Sequence, residues 1–346
     1  MLNIKPGNTP LKSISNSFGV KNLFIKDETY NPTHTFKDRL AFEMLSPIIE
    51  RIKNGGQIQR TTFGSISYGN TILSLGYYCK QLNELLGEEV VSAVGFVPQK
   101  LYKKTFGPDT SNEILEASEL LDLVHQNCKL VNINLNEKIF REKDLEELAR
   151  ENDACFENFV DVTEGLDRPA YVKIIIEAVE NQMKAAPDYV IVPFGAGILC
   201  NEIIDYIDDH KLKTKVIPVS SGNPETIATM LYGPIWVDTN DLFETGKGLT
   251  RHDSLDRKGR IRSPYYVYHV HDWEIIRALK TLGEIGVSSE PSAASGFAIL
   301  KRLKDISPEF NPDKHSVLVI NTGNSFLNFK PDLASYQSLI NNIQSH

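Results

Sequence analysis

Residues 26–39 of the chain read KDETYNPTHTFKDR, and the lysine at position 37 marks a change from an extended segment to a helix. Residues 23–26 are strand-like, and Thr35 with Asp38 forms the Ser/Thr-x-x-Asp/Glu pattern of a helix start. This pattern places Lys37 in the first helical turn, where the positive end of the helix dipole disfavours an ammonium group. A lysine that loses its proton easily can serve as an amine nucleophile. A solvated surface lysine is the alternative interpretation, and the segments elsewhere in the chain decide between the two.

The composition is that of an ordinary globular protein. Of the 346 residues, 41% are hydrophobic and 24% are charged, and this length suggests about two domains. The net charge of -8 at pH 7 argues against a broad nucleic-acid-binding surface. The four cysteines are widely spaced and form no CxxC pair. The sequence therefore predicts neither a metal cluster nor a disulfide framework, and a reducing compartment fits.

Targeting signals are not evident in the sequence. Residues 1–11 contain a proline and a glycine where a signal peptide needs an apolar core. No apolar run approaches the ~18 residues that cross a membrane. We therefore expect a cytoplasmic protein without a membrane partner.

Apolar, strand-like runs alternate with helix-like stretches along the whole chain, which predicts an α/β fold with mainly parallel sheets. Apolar residues recur at helical spacing in two stretches, one from Ile72 to Leu82 and one from Leu199 to Ile207. The best strand candidates are residues 23–26, 90–97, 130–133, 189–192, 215–219 and 317–321.

A second candidate site segment is SYGNT at residues 67–71, which precedes the helix from Ile72. Backbone amides at a helix start, together with the hydroxyls of Ser67 and Thr71 and the amide of Asn70, suit an anion such as a substrate carboxylate. A helix-capping turn without a ligand is the alternative.

A glycine-rich turn, PFGAGIL at residues 193–199, follows the strongest strand candidate. Such a turn can bind phosphate through the amides of the helix that follows. Cys200 stands at the position of the third dinucleotide-binding glycine, and the next strand ends in serines without an acidic residue. The turn therefore favours a single phosphate over a dinucleotide, and a tight turn without a ligand is the alternative. Further along, Thr322 follows the strand candidate at 317–321, where α/β sheets bind ligands.

These segments occur in an order that resembles the fold-type II pyridoxal-phosphate (PLP) enzymes. That family includes threonine synthase, threonine and serine dehydratases, cysteine synthase and the tryptophan synthase β-subunit. GNTPL at residues 7–11, VHDWE at 270–274 and EPSAA at 290–294 resemble further segments of the family. The resemblance implies two three-layer αβα domains with the cofactor in the cleft between them. The large domain would comprise residues 1–41 plus 157–346, and a small inserted α/β domain would comprise residues 42–156.

The resemblance also implies roles for individual residues. Lys37 stands at the position of the Schiff-base lysine, and no metal ligand is implied. The residues that would bind the cofactor are Lys37, Asn70, Gly195, Ala196, Gly197, Ile198, Leu199 and Thr322. The residues that would bind the substrate carboxylate are Ser67, Gly69, Asn70 and Thr71.

Within the family, residues 31–39 look most like the NPTGSFKDR of threonine synthase, since dehydratases more often lack the acidic residue after the lysine. This likeness implies PLP-dependent conversion of O-phosphohomoserine to threonine and phosphate. A serine/threonine dehydratase, or a cysteate- or cysteine-synthase-like β-replacement enzyme, is the alternative. His34 replaces the usual glycine and Tyr68 replaces a small residue, so a PLP-binding protein with lost or redirected activity is a further alternative. The implied partner is a small amino-acid substrate, and homodimers are common in the family.

Two other features carry weaker hypotheses. Residues 247–262 are charged and glycine-containing, which predicts a solvated exposed loop. A phosphate-binding role over the active site is the alternative for its basic residues Lys247, Arg251, Arg257, Arg260 and Arg262. His269 and His271 would share one strand face, but without a third ligand we expect ordinary surface histidines.

Overall fold

The computed structural model describes residues 5–67, 69–98, 127–133, 142–154, 167–221, 249–252 and 263–324. These residues form two compact units. The first unit contains the described residues before Thr9 and those from Tyr30 to Lys173. The second unit contains residues 9–29 and the described residues from Ile174 onward. The domain boundaries expected from the sequence, after residues 41 and 156, stay a prediction.

Strands and helices alternate along the described chain. The strands are β1 (Leu11–Ser13), β2 (Asn22–Asp27), β3 (Thr61–Ile66), β4 (Val91–Pro98), β5 (Cys128–Ile133), β6 (Tyr189–Pro193), β7 (Lys215–Ser221), β8 (Leu249–His252), β9 (Tyr265–Val270) and β10 (Ser316–Asn321). The α-helices are α1 (Lys37–Lys53), α2 (Asn70–Leu86), α3 (Glu142–Glu151), α4 (Asp167–Ile176), α5 (Ile198–Asp209), α6 (Asp272–Glu284), α7 (Pro291–Ala298) and α8 (Leu303–Ile306). Short 3₁₀ helices lie at Ser17–Gly19, Glu28–Tyr30 and Ile299–Arg302, and a π-helix spans Glu177–Met183.

The second unit is built on a sheet whose described strands follow the order β1-β2-β10-β6-β7-β9-β8. The five inner strands are parallel, and the two edge strands pair antiparallel with their neighbours. Asn321 at the end of β10 lies opposite Asp27 at the end of β2, and the next strand, β6, leads into the glycine-rich turn. The carboxyl ends of these strands therefore meet at one edge of the sheet, which is where α/β proteins bind ligands.

Helix α7 covers the middle of this sheet. All eight of its residues are buried, which explains why its sequence, PSAASGFA, is small and apolar. A Cβ atom on Gly296 would lie 3.1 Å from Val319 Cγ1 and 3.6 Å from Ile191 Cγ2. The missing side chain thus allows the helix to approach strands β10 and β6 closely.

The first unit contains a smaller parallel sheet of described strands in the order β3-β4-β5. Helix α2 packs against it, and its residues from Asn70 to Gly76 are all buried. Its Ile72, Leu75, Cys79 and Leu82, which recur at helical spacing, are all at most 1% exposed.

All six strands predicted from the sequence are present, and both predicted helical stretches lie in helices, α2 and α5. The predicted α/β class with mainly parallel sheets is therefore confirmed. Helix α1 begins at Lys37, as predicted, and the Thr35 hydroxyl accepts a hydrogen bond from the Lys37 amide at 3.3 Å. Asp38 accepts hydrogen bonds from Thr33 in the turn before the helix.

Two local predictions are wrong. Residues 249–252 of the predicted loop form strand β8, which pairs with β9. Arg251 belongs to β8, whereas Lys247, Arg257, Arg260 and Arg262 lie outside the described residues. His269 lies in β9, but His271 comes after that strand and caps helix α6, so the two histidines do not share a strand face.

Within the described ranges, no helix combines the length and apolar character that crossing a membrane requires. The same ranges contain no cluster of three or more histidine, cysteine, aspartate or glutamate side chains suited to a metal ion.

Candidate active site

The segment before Lys37 forms a tight turn. The His34 amide donates a hydrogen bond to the Asn31 carbonyl oxygen at 2.9 Å, and His34 has a φ of 60°. This left-handed conformation favours glycine, so the structure gives a backbone reason for the glycine usually found at this position. The Asn31 side chain accepts a hydrogen bond from the Gly7 amide at 2.9 Å and so ties the turn to the start of the first unit.

The carboxylate that follows the lysine is buried and holds this turn in place. Asp38 has no solvent exposure and accepts hydrogen bonds from the Thr33 amide, at 2.7 Å, and from the Thr33 hydroxyl. The Thr33 hydroxyl oxygen lies 3.1 Å from that of Ser74 on helix α2. Asp38 therefore fixes the backbone just before Lys37 and links it to the helix that carries the SYGNT segment.

The amine of Lys37 lies beside two aromatic rings that contact each other. Its Nζ is 4.7 Å from the centre of the Phe36 ring and 5.3 Å from that of the Tyr171 ring. The Tyr171 hydroxyl lies 3.0 Å from the same nitrogen, and Tyr171 is fully buried. Sequence reasoning missed Tyr171, because it lies 134 residues further along the chain and belongs to no recognisable segment.

The SYGNT segment connects strand β3 to helix α2. The Ser67 amide bonds to the Phe96 carbonyl of the neighbouring strand at 3.1 Å, and the Gly69 amide bonds back to the Ser67 hydroxyl at 3.0 Å. Gly69 has a φ of 136°, which a side chain would strain. Helix α2 begins at Asn70, and Ser67, Asn70 and Thr71 are all buried. Tyr68 lies outside the described residues.

The glycine-rich turn in the second unit opens helix α5 without a side-chain cap from the described residues. Gly197 adopts a left-handed φ of 83° and precedes the first helical residue, Ile198. Gly195 and Ile198 are half-buried, Ala196 is exposed and Leu199 is buried. The first amides of a helix point at whatever lies before it and favour an anion there. This turn therefore has the donors that a phosphate group requires.

Thr322 follows the central strand β10 and is buried. Its neighbour Asn321 fixes the strand end, because its side-chain amide donates to Asp27 Oδ1 at 3.0 Å and to the Ser288 carbonyl at 2.8 Å. The Ser289 hydroxyl donates to Asn321 Oδ1 at 2.9 Å. Thr322 thus presents a neutral hydroxyl from a rigid strand end.

The EPSAA segment packs beside this strand end. The Glu290 amide bonds to the Gly323 carbonyl at 3.0 Å, and the Glu290 carboxylate accepts a hydrogen bond from Ser292 at 2.8 Å. Helix α7 begins directly afterwards at Pro291, a residue well suited to the first helical position. The segment therefore supports the loop that carries Thr322.

Two buried thiols can be excluded as nucleophiles. Burial raises the pKa of the Cys128 thiol to about 12, and burial together with nearby Cys128 raises the pKa of Cys79 well above its usual value. Thiols with raised pKa values remain protonated at neutral pH and react slowly. The Lys37 amine is therefore a better nucleophile candidate than the thiols of Cys79 and Cys128.

Each unit carries its own part of the predicted site. Lys37 lies in the first unit together with Ser67, Gly69, Asn70 and Thr71. The residues of the glycine-rich turn, 195–199, lie in the second unit together with Thr322. The structure therefore gives an amine, a set of helix-start amides and a strand-end hydroxyl, each held by backbone or side-chain contacts within its own unit.

Comparisons with known proteins place these features in a family context. The family described as pyridoxal-phosphate dependent enzyme matches residues 2–323. Threonine synthase from Methanocaldococcus jannaschii is 28% identical over 311 residues, which cover 86% of this chain and 70% of that protein. Cysteine synthase B from Campylobacter jejuni is 41% identical over 76 residues, which cover 22% of this chain and only 24% of that protein.

A solved structure shows the same fold at lower sequence identity. The processed form of threonine deaminase isoform 2 from Solanum lycopersicum superposes with a TM-score of 0.63 at 15% identity. The superposition covers 96% of this chain and 87% of that chain. At this identity the likeness concerns the fold alone.

Proposed function

The chain belongs to the family of pyridoxal-phosphate dependent enzymes, and from this premise we propose that it catalyses elimination and replacement on an activated hydroxy amino acid. The proposed reaction is that of threonine synthase, in which O-phosphohomoserine and water give threonine and inorganic phosphate. The 28% identity to a threonine synthase over most of this chain supports the choice.

The residues described above fit the cofactor of this family. Pyridoxal phosphate presents an aldehyde, a phosphate and a pyridine ring, and its ring withdraws electrons from the α-carbon of a bound amino acid. Lys37 would bind the aldehyde carbon through Nζ. Asn70 would bind the 3′-oxygen, which is attached to the pyridine ring. The amides of residues 195–199 would bind the phosphate, since no described side chain caps this helix start. Thr322 would face the ring nitrogen.

The chain's own residues would also control the substrate. Ser67 and Thr71, with the amides of Gly69 and Asn70, would bind its carboxylate and so fix which bond at the α-carbon can break. Lys37 Nζ would remove the α-proton as a general base. Thr322 offers a neutral hydroxyl, which does not force protonation of the ring nitrogen as a carboxylate would. A pyridine ring whose nitrogen is not protonated withdraws electrons less strongly, and this favours elimination and replacement over transamination.

The observation that carries the choice within the family is the buried contact between Asp38 and Thr33. The acidic residue after the lysine is the feature that made residues 31–39 resemble threonine synthase. Its carboxylate holds the turn before Lys37, so this residue has a structural purpose in this chain and is not an accidental surface charge.

The test combines cofactor mapping with product analysis. Borohydride reduction of the purified protein, followed by peptide mass mapping, should show the cofactor on Lys37. Incubation with O-phosphohomoserine should release equal amounts of phosphate and threonine. Lys37→Ala should abolish both results, whereas Lys301→Ala, at an exposed position, should change neither. Cofactor on another lysine would refute the assignment of Lys37.

A β-replacement enzyme is the second candidate, because 76 residues are 41% identical to a cysteine synthase. Ketoacid formation from serine or threonine without phosphate release would identify a dehydratase. Formation of cysteine or cysteate from an activated serine would identify a β-replacement enzyme. A cofactor spectrum that responds to no amino acid would instead identify a PLP-binding protein with lost activity. Each of these results would refute the threonine synthase assignment.

A further inference from the structure

A buried tyrosine contacts the amine that the proposed function assigns to the cofactor. The Tyr171 hydroxyl lies 3.0 Å from Lys37 Nζ, and the centres of the Tyr171 and Phe36 rings lie 5.3 and 4.7 Å from that nitrogen. None of the sequence segments that resemble the family includes Tyr171. Its position therefore requires an explanation from the structure.

Helix α4 holds Tyr171 rigidly against the start of helix α1. The Phe36 and Tyr171 rings are 5.0 Å apart and tilted by 39°. Lys173, two residues further along α4, forms an ion pair with Glu43 on α1. Tyr171 has no solvent exposure, so its hydroxyl cannot turn away to water. The ring contact with Phe36 and the ion pair between α4 and α1 thus hold this hydroxyl beside Lys37.

The chemistry of this environment favours a positive charge on Lys37. A cation within about 6 Å of an aromatic ring centre is attracted to the ring face, and the Phe36 ring centre lies 4.7 Å from this amine. The phenol oxygen accepts a hydrogen bond from an ammonium, and its acceptor capacity persists when the amine is neutral. The helix dipole at the start of α1 acts in the opposite direction and disfavours the charge.

We propose that Tyr171 is a positioning residue for Lys37, whose hydroxyl fixes the amine and stabilises its ammonium form whenever Lys37 is not bound to cofactor. The inference rests on the proposed role of Lys37. An amine held in this way keeps its orientation after it takes up a proton from the substrate. Tyr171 would thereby favour proton transfer to Nζ while contributing little to substrate binding.

The first test uses the protein without cofactor. Tyr171→Phe removes the hydroxyl but keeps the ring, and Lys37 acetylation at neutral pH is then quantified by mass spectrometry relative to exposed Lys301. Loss of a hydrogen bond to a charged group should increase the neutral amine, and hence the acetylation rate, by about tenfold. Tyr189→Phe is the matched control. It removes the hydroxyl of a buried tyrosine, which lies 3.0 Å from Ser307 Oγ, and should leave Lys37 acetylation unchanged.

The second test uses the enzyme with cofactor. Tyr171→Phe should lower kcat and leave KM unchanged, because the hydroxyl acts on the amine and not on the substrate. Phe36→Leu, which removes one ring, should raise Lys37 acetylation by a smaller factor than Tyr171→Phe. This variant replaces Tyr171→Phe in the test if Tyr171→Phe does not fold. Equal acetylation of Lys37 in wild type, Tyr171→Phe and Phe36→Leu would overturn the proposal. Acetylation needs neither cofactor nor substrate, so a lack of phosphate release would refute the proposed function without affecting this result.

Discussion

At the scale of single residues, His34 shows how one backbone angle constrains the sequence beside Lys37. A side chain at a φ of 60° clashes with its own backbone, and the clash is greatest for β-branched residues. We expect His34→Gly to leave the free energy of unfolding unchanged or to raise it by up to about 1 kcal/mol. His34→Val should lower it by about 1–2 kcal/mol. Chemical denaturation of the three proteins measures the order.

Lys184 provides the control for this prediction. It is exposed, has a φ of 55° and follows the π-helix, far along the chain from Lys37. Lys184→Gly should show the same small stabilisation if the backbone alone is responsible. A His34→Gly protein that is less stable than wild type, beside a stabilised Lys184→Gly protein, would show that the imidazole makes contacts that outweigh the strain.

At the scale of secondary-structure elements, the packing of helix α2 on strand β4 depends on a glycine. A Cβ atom on Gly95 would lie 2.7 Å from Ile72 Cγ1 and 3.0 Å from Ile72 Cγ2, so the helix or the side chain would have to shift. Gly95→Ala should therefore lower the free energy of unfolding by about 1–3 kcal/mol. Ile72→Val, which shortens the opposing side chain, should reduce this cost in the double mutant.

The matched control is Gly283→Ala in helix α6, where an added Cβ would have no atom within 4 Å. Alanine favours a helix more than glycine does, so this change should raise stability by about 0.5–1 kcal/mol. If thermal denaturation shows that Gly95→Ala is as harmless as Gly283→Ala, the close packing of α2 on β4 is wrong.

The elements differ in how far the sequence predicts them. The six predicted strands are confirmed because each contains a run of apolar residues, and β6 and β10 are buried almost throughout. Strand β9, YYVYHV, was missed because aromatic and histidine residues interrupt its apolar pattern. Strand β1 has three residues, too few for any periodicity to show.

The elements that carry the candidate site residues were predicted to a similar degree. The start of helix α1 at Lys37 and the ends of β6 and β10 follow from local sequence, and they position the predicted lysine, glycine-rich turn and threonine. The contact of Asp38 with Thr33 was not predicted, because the Thr35–Asp38 pattern describes the helix start and not the turn that precedes it. The contact of Tyr171 with Lys37 joins distant parts of the chain, and only folding brings them together.

At the scale of the whole molecule, the buried Lys26 connects three distant parts of the second unit. Its Nζ, with no solvent exposure, donates to the Thr9 carbonyl at 2.6 Å, to Glu177 at 2.7 Å and to Gln182 at 3.2 Å. Glu177 and Gln182 are five residues apart, and the π-helix brings residues at this spacing to the same face. The buried ammonium group of Lys26 thus joins strand β2 to the segment around Thr9 and to the π-helix.

This arrangement predicts an asymmetric response to mutation. Glu177→Gln leaves a buried ammonium without its counter-charge and should lower the free energy of unfolding by roughly 3 kcal/mol. Lys26→Met should cost less, because Glu177 is 13% exposed and can be hydrated, and Gln182 still bonds to the Thr9 carbonyl at 2.7 Å. The double mutant should be more stable than Glu177→Gln alone. Urea denaturation of the wild type, the two single mutants and the double mutant measures these differences.

The pair Lys215 and Glu309 is the exposed control in the same unit, with side chains 54% and 49% exposed. The equivalent changes, Lys215→Met and Glu309→Gln, should each shift the free energy of unfolding by less than about 1 kcal/mol. If Glu177→Gln and Glu309→Gln lowered the free energy of unfolding equally, this result would contradict a buried charge at Lys26.

The strand order of the second unit also determines when this unit can fold during synthesis. Strand β2 pairs with β10, and Asn22 lies opposite Ser316. The inner sheet therefore cannot form until the ribosome has synthesised β10. The described strands of the first unit end at Ile133, so its sheet can form much earlier on the ribosome. During the interval β2 carries an unpaired edge with apolar residues such as Leu23 and Ile25. A nascent chain of this kind is most exposed to aggregation until β10 is made, and chaperone binding would protect it during that time.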